Sequence, residues 1–265
     1  MSANVTHLMA RLGCVGLGLV LVAQAEPSLA GTFSTSLTRV ALSASAPTAV
    51  LRLRNEGTAT LRLQVSAFSW QQTSSGEMRL TPTTDVAFFP ALLTIEAGKE
   101  RKVRIGTTAG FGSTERPYRI FLDELPGAGP APRGIRMRTR VSLPVFVGGA
   151  GAAAKVEIDD VRLRGATLSF SLRNLGAAHL PPGELVVSAI GTGGSTVVSN
   201  RVKSWYVLPG GERVHEIVIP SDACARIRRV VVAGQFASLA VEQTAEATNA
   251  ACDADRAPST DPRSE

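Results

Sequence analysis

The sequence predicts an all-β protein of two β-sandwich domains joined by a short hinge. Three observations carry that reading. Apolar and polar residues alternate with a period of two in segment after segment, and turn-forming residues separate the segments at regular intervals. A run of small residues, 148–154, then divides the pattern into two halves. Composition agrees. Aromatics make up 5% and charged residues 19% of the 265 residues, the latter below the usual quarter, while Val, Leu, Thr, Ser and Gly favour strands and turns.

Residues 1–30 stand apart. Arg11 precedes an apolar run, Leu12–Ala23, with the length of a secretory core segment and too short to span a bilayer. Small-residue cleavage sites follow at Ala25 and Ala30, the second preferred. Cys14 lies inside the run behind Arg11 and Gly13, a poor lipid-attachment site, so no lipid anchor is expected. A cleaved leader leaves Cys224 and Cys252, an even pair that in an exported chain points to a disulfide; the alternative is two buried thiols. Closing that loop would stabilise the fold by about 3–4 kcal/mol in the chain-entropy picture.

The first domain, 31–147, reads as about seven strands. Thr32–Leu42 is extended and carries Arg39. Ala49–Asn55 alternates cleanly and ends in the turn Asn55–Gly57. Thr60–Gln71 brings Trp70 as a large core anchor, and Thr73–Glu77 turns the chain. Asp85–Ile95 is apolar, with Pro90 marking a bend or an edge rather than a central strand. Lys99–Ile105 and Tyr118–Leu125 follow, the latter closed by Pro126 and a Gly/Pro/Ala loop. Gly134–Phe146 completes the set. Ile135, Met137, Val141, Leu143 and Val145 share one face, with Arg136, Arg138 and Arg140 between them. Such a strand is either well paired or a template for pairing with another chain.

Seven short strands with alternating pattern are the mark of an immunoglobulin-like sandwich. Beyond the hinge the pattern resumes: Lys155–Leu163, Thr167–Asn174, Glu184–Ile190, Thr196–Val207, Glu212–Ile219, Arg226–Val232 and Leu239–Gln243. That is a second domain, 155–249, followed by a polar tail, 250–265, expected to be disordered.

Catalytic chemistry is hard to place. Of three histidines, His7 is in the leader, His179 sits beside Leu180–Gly183 where it is expected to satisfy local backbone, and His215 has no cysteine or carboxylate at metal-ligand spacing. Asp123–Glu124 and Asp159–Asp160 are neighbours on strands, so each pair is expected to point to opposite faces and form no acid/base dyad. No hydrolase or phosphate-binding motif appears. The expectation is no enzyme, no cofactor and no metal. The net charge of +6 is not gathered into consecutive Lys/Arg runs, so no nucleic-acid partner is expected, and no membrane insertion.

Several motifs in this order resemble the periplasmic pilus-assembly chaperones of the chaperone–usher pathway. They are Leu37–Leu42, Leu51–Asn55, Trp70, Phe89–Gly98, Tyr118–Pro126 and the strand Gly134–Phe146, spread over residues 33 to about 241. Ser142–Phe146 resembles the archaic, spore-coat-type branch. The resemblance implies a boomerang of two immunoglobulin-like domains. It also implies donor-strand complementation, in which an edge strand fills the groove of a pilus or fimbrial subunit, followed by delivery to an outer-membrane usher. Ile135, Met137 and Thr139 would belong to the donor strand, with Val141 and Leu143 continuing into the chaperone's own core. Arg39 matches the family's cleft arginine that anchors the subunit's carboxylate. The second anchor is usually a lysine; Ser142 stands at that position, and Arg140, two residues earlier on the same face, is taken as the anchor instead. Pro90 matches a proline that is often cis. The competing reading is an exported structural or adhesive β-sandwich, such as a pilus subunit or a sugar-binding module.

Overall fold

A computed structural model describes residues 33–127, 137–149 and 151–247. The leader, Ile135, Arg136, Cys252 and the tail 250–265 lie outside the described residues. So the predicted disulfide and the first contact of the donor strand do too.

Among the described residues the first domain is a sandwich of ten strands: β1 (Phe33–Thr35), β2 (Val40–Leu42), β3 (Thr48–Asn55), β4 (Leu61–Gln72), β5 (Met78–Pro82), β6 (Val86–Phe89), β7 (Leu92–Ile95), β8 (Glu100–Thr107), β9 (Arg116–Glu124) and β10 (Arg140–Val147). The predicted Thr32–Leu42 is two short strands, one in each sheet, and Asp85–Ile95 is also two, broken by a cis Phe89–Pro90 bond. One sheet runs β1-β3-β8-β6; the other runs β2-β10-β9-β4-β5, with β7 also on β4.

Period-two patterning decides what lies between the sheets. Leu51 and Leu53 of β3, Leu63 and Val65 of β4, Val103 and Ile105 of β8, and Ile120 and Leu122 of β9 point inward and are buried. Leu143, Val145 and Val147 of β10 join them, and Val141 packs against the same core. The C-terminal half of the Gly134–Phe146 alternation is thus core, as expected. Its N-terminal half differs: Met137–Thr139 adopts no regular strand, although Glu124 N–H still donates to Thr139 O at 2.9 Å. Asp123 and Glu124 point opposite ways as expected. Glu124 is buried and accepts the Thr139 N–H at 3.0 Å, whereas Asp123 faces outward.

The second domain has seven strands, matching the segments read from the sequence: β11 (Val156–Arg164), β12 (Thr167–Asn174), β13 (Gly183–Gly191), β14 (Thr196–Ser204), β15 (Glu212–Val218), β16 (Ile227–Phe236) and β17 (Leu239–Glu246). They form sheets β11-β12-β15 and β14-β13-β16-β17 around Leu168, Phe170, Leu172, Leu185, Val187, Val230 and Val232. Cys224 is buried in the one-turn helix Ser221–Cys224 between β15 and β16, its Sγ 3.1 Å from Gly165 O. The paired aspartates of β11 depart from expectation. A bulge between Asp159 and Arg162, with Asp160 at φ 53°, turns both carboxylates toward Arg173, at 2.8 and 3.9 Å.

Both domains repeat one device. Leu53-Arg54-Asn55 before Gly57 and Leu172-Arg173-Asn174 before Gly176 each end a strand on a buried asparagine. Asn55 donates from Nδ2 to Ala59 O and Ile95 O and accepts from Gly57 N–H. Asn174 donates to Ala178 O and Val207 O and accepts from Gly176 and Lys155 N–H. Each side chain closes the turn after its strand and ties it to a distant segment.

Candidate functional site

The outer face of the β2-β10-β9-β4-β5 sheet holds Arg39, Arg140 and Ser142, the anchor residues that sequence reasoning singled out. Register fixes which side chains share it. Arg140, Ser142, Pro144 and Phe146 of β10 lie opposite Asp123, Phe121, Arg119 and Pro117 of β9. Arg119 in turn lies opposite Phe68 of β4, and Trp70 opposite Leu80 of β5.

β10 is covered on its far side only at Val145–Val147, by the parallel strand β2, Val40–Leu42. Residues 140–144 have no strand partner on that side among the described residues. The open edge stops where β2 begins, and there stands Arg39. One residue before the Val40–Val145 pair, Arg39 comes level with Pro144 and shares the outer face with Ala41. It is exposed and has no ion pair or hydrogen bond with any described residue.

Arg140 shares this face but is engaged. Its Nε pairs with Asp123 Oδ1, its guanidinium carbon lies 5.4 Å from the Phe121 ring centre, and its side chain is 68% exposed. The Asp123 contact, by hydrogen bond first and by charge second, holds its pKa above the usual arginine value. Ser142 is half-buried, and its Oγ accepts a long 3.4 Å hydrogen bond from Nη1 of Arg119. Met137 carries 61% of its surface to solvent, and Thr139 is half-buried.

Arg119 is the residue sequence reasoning missed. It is 3% exposed, its guanidinium carbon sits 4.0 Å from the Trp70 ring centre, and its Nε and Nη2 have no hydrogen-bond partner. Burial lowers its pKa; the Tyr206 side chain works the other way. A guanidinium carries five N–H donors and stays charged, so a buried one with free donors is costly unless an acceptor or anion comes to it. A signal existed: Arg119 is the single charged residue in the run Tyr118–Leu122. It places positive charge from the neighbouring strand over Ser142, where the resemblance had led us to look for lysine.

Trp70 is buried as expected but in a different place. It belongs to a cluster between the domains with Phe146, Tyr206 and Leu208, rather than to the sandwich core. Tyr206 meets Trp70 edge-on at 5.9 Å and Phe146 at 5.4 Å. His179 also serves the joint rather than local backbone. Its ring stacks on Phe146 at 3.6 Å, and its N–H and Nδ1 both reach Glu115 Oε1, at 3.0 and 2.7 Å. Gln72 Nε2 donates to Tyr206 O, and Val214 N–H of β15 donates to Ser74 O in the β4–β5 turn. Gly149 lies so close to Gly112 O that a side chain there would collide with backbone. The hinge is therefore packed against the first domain at this point. No group of His, Cys, Asp and Glu able to hold a metal occurs among the described residues. His215 is buried beside Ser204 Oγ at 3.3 Å and against Phe170, and its pKa falls to about 4, by burial first and by Arg213 second.

Comparison with known proteins sets this geometry in a family context. Residues 32–151 match the family model described as pili and flagellar-assembly chaperone, PapD N-terminal domain. No curated protein matches the sequence. Solved structures match across both domains. The CsuC–CsuE chaperone–tip subunit pre-assembly complex from archaic chaperone–usher Csu pili of Acinetobacter baumannii is similar at 18% identity and a TM-score of 0.56, covering 81% of this chain and 98% of that one. The class 5 fimbriae chaperone CfaA is similar at 10% identity and a TM-score of 0.53, covering 82% and 100%. The Salmonella enterica SafA pilin in complex with the SafB chaperone matches at 13% identity and a TM-score of 0.53, covering 81% and 97%. The two-sandwich architecture is the shared feature.

Proposed function

We propose that this chain, whose first domain belongs to the pilus-assembly chaperone N-terminal family, is a non-enzymatic periplasmic chaperone for pilus subunits. It takes a subunit by lending it the open edge of β10 and the residues before it, then passes it to an outer-membrane usher. The family match and the similarity to chaperone–subunit complexes support the chaperone role. One observation of this chain's own carries the mode of capture: among the described residues β10 has no strand partner on one side up to the row where Arg39 and Arg119 bring positive charge with no acidic partner.

A subunit strand added to that edge gains ladder hydrogen bonds and places alternate side chains beside Met137, Thr139 and Val141. It must stop where Val40 already occupies the edge. A strand ending there leaves its terminal carboxylate beside Arg39, with Arg119 one strand away behind Ser142. We assign the anchor to Arg39 and Arg119. Arg140, already paired with Asp123, fixes the mouth of the edge. Carboxylate recognition by guanidinium is charge-assisted and favours arginine's planar fork.

The test is co-expression with the small secreted subunit encoded nearest to this gene. The expected result is a one-to-one complex that Arg119→Gln and Arg39→Ala each weaken by about 1.5–3 kcal/mol, the value of a hydrogen bond to a charged group. Wild-type capture by both variants sinks the anchor assignment. Self-polymerisation without a partner would instead identify a structural subunit.

A further inference from the structure

The orphaned groups around Arg119 extend beyond Arg119. Trp70 Nε1 is also buried without a hydrogen-bond partner, in a side chain only 2% exposed. Buried indole N–H groups almost always find an acceptor, so an unpaired one calls for an explanation. This one belongs to the ring against which the Arg119 guanidinium rests, at 4.0 Å. Three of the four orphaned atoms here are donors: Arg119 Nε, Arg119 Nη2 and Trp70 Nε1. The fourth, Gln72 Oε1, is the one acceptor, two residues from Trp70 on the same strand face. Donors outnumber acceptors, which is the chemistry of an acceptor site.

The second domain closes the group. Tyr206 sets its ring edge-on against Trp70 at 5.9 Å, which puts the phenol on the ring that carries the guanidinium. Tyr206 also acts on Arg119 electrostatically. Trp70 and Gln72 also line a cavity of about 510 Å³ between the domains, which borders the cluster on its Pro117 and Leu208 side.

We propose that Trp70 Nε1 and the Tyr206 hydroxyl complete, with Arg119, a carboxylate cradle built from both domains. This rests on the anchor reading above and deepens it. The subunit's C-terminal carboxylate takes hydrogen bonds from Arg119 and Trp70 of the first domain and from Tyr206 of the second. Entry is over Ser142, the smallest side chain on the outer face of β10. The second domain thereby becomes part of the binding site.

The chain has two tryptophans, Trp70 and Trp205, and Trp205 is 48% exposed, which supplies an internal control. The probe is a short peptide of alternating threonine and valine with a free C-terminal carboxylate, compared with its C-terminal amide. Indole N–H resonances are followed by ¹⁵N NMR in the full chain. The free peptide is expected to move the Trp70 indole signal downfield and leave Trp205 in place, and the amide to move neither. Tyr206→Phe, which keeps the ring, is expected to weaken the free peptide about five- to tenfold, the worth of one hydrogen bond, and to leave amide binding unchanged. Thermal unfolding of Tyr206→Phe checks that the joint is intact. If Arg119→Gln binds both peptides as the wild type does, or no peptide binds at millimolar concentration, the anchor reading fails and this one with it. If Arg119→Gln weakens the acid but the Trp70 signal stays still and Tyr206→Phe is neutral, only the cradle is overturned, and the orphaned donors are held by internal water.

Discussion

Met137 and Leu143 lie six residues apart on one alternation, and they separate two roles. Leu143 is buried in the first core, so Leu143→Ala removes packed atoms and is expected to cost about 2–5 kcal/mol in chemical denaturation. Met137 is mostly in solvent, so Met137→Ala should leave the unfolding midpoint unchanged and lower subunit capture alone. A loss of stability in the Met137 variant of more than about 0.5 kcal/mol would mean that the side chain packs on its own domain. The sequence displayed both residues equally well. Period two sorts side chains between faces, but it does not say where along a strand its own sandwich ends. The same limit explains Arg119 and Arg140. Both were visible as arginines on strands, yet which one had an acidic partner depended on Asp123, one strand away in space from Arg140. The expectation that His179 served local backbone failed for a related reason, since its partner Glu115 comes from the other domain.

At the scale of elements, most strands and turns were legible, because Gly, Asn and Pro punctuate them, although β5 was not foreseen and two segments read as single strands each divide between the two sheets. What escaped were the places where two segments trade a single buried group. Asn55 and Asn174 show this most clearly, each binding carbonyls of a distant segment. Asn55→Ala would leave Ala59 O and Ile95 O without that donor and free the turn before β4. Its expected cost is about 2–4 kcal/mol, since each buried group left unpaired costs about 1–3 kcal/mol. Asn174→Ala should cost a similar amount in the second domain, where the side chain also binds Val207 O next to Tyr206. The difference between them is functional. Tyr206 belongs to the joint, so the Asn174 variant is expected to weaken subunit capture beyond its effect on stability, and the Asn55 variant is not. Denaturation and capture measured on both proteins decide the point; equal capture by the two would detach the joint from binding.

For the whole molecule, acid should act on the second sandwich through one buried histidine. Glu115 and His179 are hydrogen-bonded in the joint, whereas His215 is enclosed in the second domain with Arg213 nearby and no carboxylate partner among the described residues. The fold holds the His215 pKa at about 4, below the ordinary value near 6.5. The unfolded chain therefore binds this proton first as pH falls. Unfolding then takes up a proton between about pH 6.5 and 4, so stability is highest above that window and declines through it. With allowance for solvent screening at a site that is not wholly dry, the loss should come to about 2 kcal/mol. His215→Gln keeps a group able to bond Ser204 Oγ and removes the titration. Thermal unfolding of both proteins at pH 7.5 and pH 4.5 isolates the effect, because every other titrating group is common to them. The wild type should lose more stability than the variant between the two pH values, and the excess should appear in the second domain's transition. An equal loss in both would show that His215 is protonated in the folded chain at little cost, and that acid acts first elsewhere.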